Sequence, residues 1–446
     1  MIQRATLVPA TLLAIAAIPS SAWSQDVLAP STSVPTEPAA VQERQNANPM
    51  QVFPPTANAP ATEIQTEPFQ WGPVILRPHL DYQFLYGNGI NASPGQQEDT
   101  VVQRLAPGVL FDLGPHWTLD YTPTLNFYSN RRFRDTVDHH VALGWGTAYG
   151  NDWFFSAAQN VSLTSDPNVA TAAQTDQQNY STAFNASYLI NTKLSLDLGL
   201  NQDFNYIGQA QSSTNQLQNL TDSRVWSTMD WLNYQFWTRL NAGIGIGGGY
   251  VNLAAGSDQT FEQYQARVNW RATDKISFQL SGGLQDQQYL SSSAGDLLTP
   301  IFTVLVQYQP FDQTRLSLSA SRTVSTSYFQ NQTTENTSLA GDLNQRLLGR
   351  LYLDLSGGYT HTKYVSSATV GQIGFGTGRS EDSYFFGARL TCPFLKRGTA
   401  AVFYQYSDNS SAQSGFVSVY QVGSVSSASA YSYSSHQVGF EISWRY

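Results

Sequence analysis

Cysteine is nearly absent. Cys392 is the only one among 446 residues, so no intramolecular disulfide can form and no multi-cysteine metal site can exist. Charge is also scarce: 12% of residues are Asp, Glu, Lys or Arg, about half the share in an ordinary soluble domain. Cations are the scarcer sign, 23 against 32 acids, and the pI near 5.1 excludes a nucleic-acid binder. Long apolar runs are missing too. No segment after the N-terminus approaches the roughly 18 to 20 apolar residues of a membrane helix, and the mean hydropathy of −0.29 agrees. There is no glycine-rich loop ahead of a helix, since Gly243 to Gly249 has no helical pattern after it, so a phosphate cradle is excluded. No cofactor and no metal is expected.

What is present is aromatic side chains, 13% of the chain, set in a two-residue rhythm. Leu76, Pro78, Leu80, Tyr82, Phe84 and Tyr86 alternate with Arg77, His79, Asp81 and Gln83. Trp117, Leu119, Tyr121, Pro123, Leu125 and Phe127 alternate with Thr118, Asp120, Thr122, Thr124 and Asn126. Period two means strand. Runs of about 10 to 12 residues exceed the usual soluble strand and match a tilted membrane-crossing one. The rhythm continues through Tyr180–Ile190, Leu194–Leu200, Ile276–Leu284, Phe302–Tyr308, Leu351–Tyr359 and Tyr384–Cys392. About 18 strands result. The faintest lie near 223–233 and 241–253, the second weakened by Gly243, Gly245, Gly247, Gly248 and Gly249.

Connections alternate in length. Short ones are expected at 114–116, 150–152, 191–193, 233–235, 271–274, 309–313, 345–349 and 393–398. Longer polar ones are expected at 87–100, 129–136, 165–178, 207–222, 253–260, 287–298, 325–334, 364–380 and 408–430. Short periplasmic turns, long outer loops and an even strand number describe a bacterial outer-membrane barrel. The expected fold is therefore all-β: a transmembrane antiparallel β-barrel of about 18 strands over 71–446, with a disordered N-terminal periplasmic linker.

The N-terminus reads as a secretory signal over 1–24. Arg4 is followed by an apolar run from Leu7 to Ile18, a break at Pro19-Ser20-Ser21, and small residues Ala22 and Ser24 before a cut after Ser24; a cut after Ala22 also fits. Residues 25–70 hold eight of the 20 prolines among Ala, Thr, Gln and Asn, with too little apolar surface to offset ordering entropy. They are expected to be the linker. At the other end Phe440, Ile442, Trp444 and the terminal Tyr446 alternate with Glu441, Ser443 and Arg445. This resembles the C-terminal signal by which the barrel-insertion machinery recognises its clients, although that signal more often ends in Phe.

A quasi-repeat follows the short turns: Lys193-Leu194-Ser195-Leu196-Asp197-Leu198, Lys275-Ile276-Ser277-Phe278-Gln279-Leu280, Thr314-Arg315-Leu316-Ser317-Leu318-Ser319 and Arg350-Leu351-Tyr352-Leu353-Asp354-Leu355. The stretch from Pro310 through Arg322 and on to Ser356-Gly357-Gly358-Tyr359 resembles the outer-membrane β-barrel porin family associated with exopolysaccharide gene clusters. The resemblance implies an outer-membrane barrel of a Gram-negative bacterium and, as one option, polysaccharide export. The strand count also looks like that of the alginate exporter and of specific porins. The linker is too short for a helical-repeat domain, so export would need a separate periplasmic partner.

Selectivity would reside in the lumen. Alternation aims Arg77, Arg104, Arg267 and Arg389 inward, with Asp81, Asp112, Asp120, Asp197, Asp203, Asp342, Asp354 and Glu441. The signs are mixed, so no strong ion selectivity is expected. Arg131, Arg132 and Arg134 form a basic cluster at the outer rim, suited to the phosphates of lipopolysaccharide. Asp135, Asp138 and His139 beside them are the one set that a hydrolase would use, but no second acidic partner can be located. The expectation is a non-enzyme: a transport pore for passive solute diffusion or polysaccharide export, or else a plugged barrel that binds through its outer loops. Loops 364–380 and 408–430, rich in Ser, Gly and Tyr, are expected either to fold inward as a constriction or to face outward as a glycan-binding or adhesive surface.

Overall fold

A computed structural model describes residues 69–93, 96–168, 173–208, 220–290, 295–329, 332–366, 379–413 and 431–445. The expected signal segment, almost all of the linker and the terminal Tyr446 lie outside the described residues. Eighteen strands form the wall: β1 (Val74–Ser93), β2 (Gln96–Leu113), β3 (Trp117–Tyr128), β4 (Thr136–Tyr149), β5 (Trp153–Thr164), β6 (Gln177–Leu189), β7 (Leu194–Ile207), β8 (Ser223–Trp237), β9 (Leu240–Leu253), β10 (Gln259–Arg271), β11 (Ile276–Tyr289), β12 (Leu297–Phe311), β13 (Thr314–Thr326), β14 (Gln332–Leu347), β15 (Leu351–Ser366), β16 (Arg379–Phe394), β17 (Gly398–Gln413) and β18 (Tyr433–Arg445). Each pairs antiparallel with its sequence neighbours. The sheet closes where β18 meets β1, from His79 opposite Arg445 to Asn88 opposite His436. A short strand, Phe69–Trp71, folds back on the start of β1.

Closure is what this sequence needs. The outward residues are large and apolar: Ile244 is 67% exposed, Ile246 56% and Val402 56%. An apolar surface of that extent suits lipid, not water. Aromatic pairs ring both edges. Near the short turns Trp117 meets Trp145 at 5.9 Å, Trp153 meets Tyr188 at 4.5 Å and Trp270 meets Phe278 at 5.3 Å. Toward the long loops Trp226 meets Tyr250 at 6.0 Å and Tyr359 meets Tyr384 at 5.0 Å. Amphipathic rings favour the two interfaces of a bilayer. At the seam Phe84 stacks on Phe440 at 5.4 Å, and Ile442 pairs with Tyr82.

Two expected connections move. Most of 87–100 is strand, because β1 and β2 run on to Ser93 and from Gln96. The turn expected at 233–235 lies at 238–239, since Tyr234, Phe236 and Trp237 continue the lipid-facing row of β8. The strand over 240–253 forms despite its glycines, and the reason lies in its neighbours. Gly245 faces the Trp231 ring, where an added Cβ would stand 2.6 Å from the ring, and Gly249 faces Phe261 at 2.4 Å. The glycines leave room for large inward side chains from β8 and β10 to lie against the wall.

Gly283 on β11 is held for another reason: a Cβ there would meet the Tyr264 carbonyl oxygen at 1.8 Å. Gly357 on β15 has only ordinary contacts, the nearest at 3.5 Å. Gly283→Ala is therefore expected to destabilise the barrel by about 1–3 kcal/mol, and Gly357→Ala by less than about 0.5 kcal/mol. The midpoints of urea unfolding in detergent micelles compare the two. Equal midpoints would contradict the close approach at Gly283.

Candidate functional site

The inner wall is built mainly from small uncharged polar side chains. Asn179, Ser181, Asn185 and Ser187 on β6 and Ser195, Asn201 and Asn205 on β7 face the lumen, opposite in phase to the outward Phe184, Leu198 and Leu200. On β10 and β11 the wall becomes an amide ladder. Gln263 donates to Gln285 at 2.9 Å, Gln265 donates to Gln263 at 3.0 Å, and Gln287 donates to Gln259.

The four arginines expected to point inward, Arg77, Arg104, Arg267 and Arg389, are each held by a carboxylate. Arg77 meets Asp112 at 2.8 Å, Arg104 meets Asp166 at 3.2 Å, Arg389 meets Glu441 at 2.9 Å, and Arg267 meets Asp197. The Arg267 site is the most elaborate. Its Nε donates to Asn233 at 2.8 Å, its guanidinium lies 4.4 Å from the Trp231 ring, and Asn233 and Ser187 each donate to Asp197 at 2.8 Å. Asp166 lies outside the strands and had no place in the sequence reading; only the closed barrel brings it to Arg104 and to the Tyr128 hydroxyl at 3.1 Å. Asp81 faces Ser443 across the seam on the inner side. Asp120 accepts from Thr122 at 2.9 Å, Asp342 from Ser317 at 3.1 Å and Asp354 from Asn344. Asp203 is almost fully buried on β7. These residues, mixed in sign and paired, do not form a ring of like charge.

The outer mouth is crossed by the hairpin that joins β13 to β14. Its tip reaches both sides of the barrel. Leu220, next to β8, bridges to Phe329, and the Thr221 amide donates to the Tyr328 carbonyl at 2.9 Å. On the other side Tyr328 packs on Tyr433 of β18, and Phe329 meets Tyr431 edge-on at 6.2 Å. In the strand order β8 is five places from β13, and β18 is four places from β14. A tip that touches both must cross the opening. The hairpin, whose two strands are joined by the Arg322–Glu335 pair at 3.0 Å, also leans on the inner wall, where Tyr289 donates to Thr333 at 3.2 Å and Thr299 to Glu335 at 3.5 Å. Hence residues 332–336 are all buried, with no alternation. A cavity of about 90 Å³ separates it from Met229, Phe261, Gln265 and Ile301.

Arg379, the first residue of β16, holds the tip. Its guanidinium lies 5.2 Å from the ring of Phe329, 3.9 Å from Tyr364 and 4.2 Å from Tyr431, and its Nε stands 3.1 Å from Glu381. Cation–π contacts strengthen when desolvated, and Arg379 is only 4% exposed. Whether 364–380 and 408–430 fold inward or outward falls largely on residues outside the described ones; among the described residues the hairpin inside the expected 325–334 loop is the one seen in the mouth.

The hydrolase constellation does not assemble. Asp138 points inward and accepts from Asn126 at 2.6 Å, whereas His139 points outward and bonds the Tyr121 hydroxyl at 3.0 Å. Asp135 accepts the Tyr128 amide at 2.8 Å. At the rim Arg132 meets Glu98 at 3.0 Å and Arg134 meets Asp176, with Arg131 exposed beside them. Among the described residues no group of His, Cys, Asp and Glu could hold a metal ion.

No family model and no curated protein matches this chain. Among solved structures it is similar to the outer membrane protein OpdK from Pseudomonas aeruginosa, with 12% identity and a TM-score of 0.45, over 83% of this chain and 99% of that one. It is similar in the same way to OccK2 (OpdF) from Pseudomonas aeruginosa, with 11% identity and a TM-score of 0.45, over 83% and 98%. A bacterial polysaccharide outer membrane secretin follows at 8% identity and a TM-score of 0.33, over 82% and 98%.

The Arg389–Glu441 pair gives a direct test of the paired lumen. Both side chains are at most 7% exposed. Arg389→Met leaves the carboxylate buried without its cation and should cost about 3–5 kcal/mol. Adding Glu441→Gln should recover most of it. Urea unfolding of the single and double variants measures both; a double variant no better than the single one would refute the pairing.

Proposed function

We propose that this barrel is an outer-membrane channel for small hydrophilic solutes, narrowed at its outer mouth by the β13–β14 hairpin. The observation that carries the reading is the combination of a closed 18-strand wall, polar within and apolar without, with a hairpin laid across the opening. A closed wall of this size is wide enough for an aqueous passage. A dense array of Ser, Asn, Gln and Thr can exchange hydrogen bonds with a passing solute without holding it by charge. Arg77, Arg104, Arg267 and Arg389, each paired with an acid, offer no basic track to an acidic polymer. This is a non-catalytic role, consistent with the dispersal of Asp135, Asp138 and His139.

Export of a polysaccharide, the other option that the family resemblance implies, requires the hairpin to leave the mouth. Residues Tyr328, Phe329 and Arg379 are then the ones that hold it shut.

The test is single-channel conductance of the refolded barrel in a planar bilayer. The intact protein should show small, stable steps with nearly equal permeability to potassium and chloride. Phe329→Ala with Arg379→Ala, which releases the tip from its aromatic clasp, should raise the step by about twofold or more. Silence from the intact barrel with steps only from the double variant would favour the gated export route. Silence from both would exclude transport.

A further inference from the structure

One seam of the wall parts near the outer mouth. β12 pairs with β13 from Phe311 opposite Thr314 as far as Phe302 opposite Arg322, and there their register stops. Both strands go on. β12 continues beside β11 to Leu297, and β13 continues beside β14 to Thr326. Pro300 sits in the continuing stretch of β12; it brings no N–H to a ladder, and proline in a sheet belongs at an edge. Leu298, Pro300 and Phe302 prolong the lipid-facing row of β12, with Leu298 64% exposed. The gap therefore opens through a part of the wall that faces lipid.

A sheet edge is tolerated at membrane depth only where protein covers it or a cavity lies behind it. Here the β13–β14 hairpin lies behind. Val324 of β13 and Thr333 and Glu335 of β14 continue rows that face lipid farther from the mouth, at Leu316, Leu318 and Leu339. Yet all three are buried, and their neighbours are inward side chains of β11 and β12: Tyr289 reaches Thr333 and Thr299 reaches Glu335. The two layers overlap, wall outside and hairpin inside, with the cavity of about 90 Å³ between them. That cavity runs through the seam. It is lined by Phe302 and Arg322, which flank the gap on the outward rows, and by Met229 and Gln285, which face the lumen. Its inner side carries an apolar patch, where Val225, Val251 and Leu253 are buried together with Phe261 packed on them. The hydrogen-bonded amides of Gln263 and Gln285 border the patch. Arg322 is neutralised by Glu335 at 3.0 Å.

We propose that this seam is a lateral port, joining the outer leaflet to the lumen beneath the hairpin, for single-chain amphiphiles with an uncharged, hydrogen-bonding head. The apolar chain lies against Val225, Val251 and Phe261, and hydroxyls of the head meet the Gln263 and Gln285 amides. An uncharged head suits a crevice whose one arginine is already paired. A molecule whose chain is already in lipid gains nothing by crossing water to the axial mouth, so the wall is its direct entry. The port is a second route beside the proposed axial passage, and it takes a different class of molecule.

The probe is a monolauroyl glycerol with a diazirine on its chain, incorporated into phospholipid vesicles that hold the full-length protein. After illumination, peptide mass spectrometry should find label on Met229 and Phe261 of the inner wall as well as on Leu316 and Leu318 of the lipid face. Val324→Trp fills the crevice from the hairpin side, and Ser281→Trp fills it from the wall side. Either should lower the inner labels, relative to the outer ones, by about fivefold or more. The two variants sit on different strands, so one that fails to fold leaves the other to decide. A chainless diazirine glycerol, which arrives through water, should give about a tenth of the inner label or less. Label confined to the lipid face would overturn the proposal. So would equal inner labelling by the chainless reagent, or inner labels that a folded filling variant leaves unchanged.

Discussion

Backbone hydrogen bonding in lipid is the constraint on which the rest of this structure depends. A strand in hydrocarbon has no water to satisfy its N–H and C=O groups, so a membrane sheet cannot keep an edge. The ten register pairs between β18 and β1 remove the last one. Once the wall is closed, alternate residues have different solvents, lipid outside and the lumen within. The low charge, the aromatic content and the two-residue rhythm all follow from that division.

The wall was therefore the legible part. Leu76 to Tyr86 and Trp117 to Phe127 show their outward faces in sequence because a one-residue slip would turn every apolar side chain to the wrong side. The strand over 240–253 was harder. Its glycines weaken a strand taken alone, and only the Trp231, Met229 and Phe261 side chains explain them. These lie on β8 and β10, so the information that makes β9 a strand is not in β9. Likewise the turn placed at 233–235 sits at 238–239, because turn-forming residues there are less decisive than the aromatic row that carries β8 to the membrane edge.

The mouth was not legible, for a physical reason. The β13–β14 hairpin has both faces buried, so its alternation disappears, and the segment Ser325–Thr334 reads as an ordinary polar loop. Its partners are Leu220, Tyr364, Arg379, Tyr431 and Tyr433, drawn from four other parts of the chain. None has a sequence spacing to Phe329 that could announce the contact. The lumen lies between these extremes. Alternation aimed Arg77, Arg104, Arg267 and Arg389 inward, but it could not say that each would stand beside a carboxylate from another strand or loop.

That pairing bears on what the proposed channel selects. An isolated arginine in a narrow aqueous passage attracts anions; one held by a buried carboxylate contributes a dipole. The local field then falls off quickly, and discrimination passes to hydrogen bonding and to width. Width is set by the hairpin, which the Arg379 clasp fixes through aromatic faces and Glu381. These paired charges thus do structural service, bracing the wall and holding the hairpin. In the proposed channel the uncharged Ser, Asn and Gln rows are what a solute meets, so its permeant class is governed by the residues that composition makes least conspicuous.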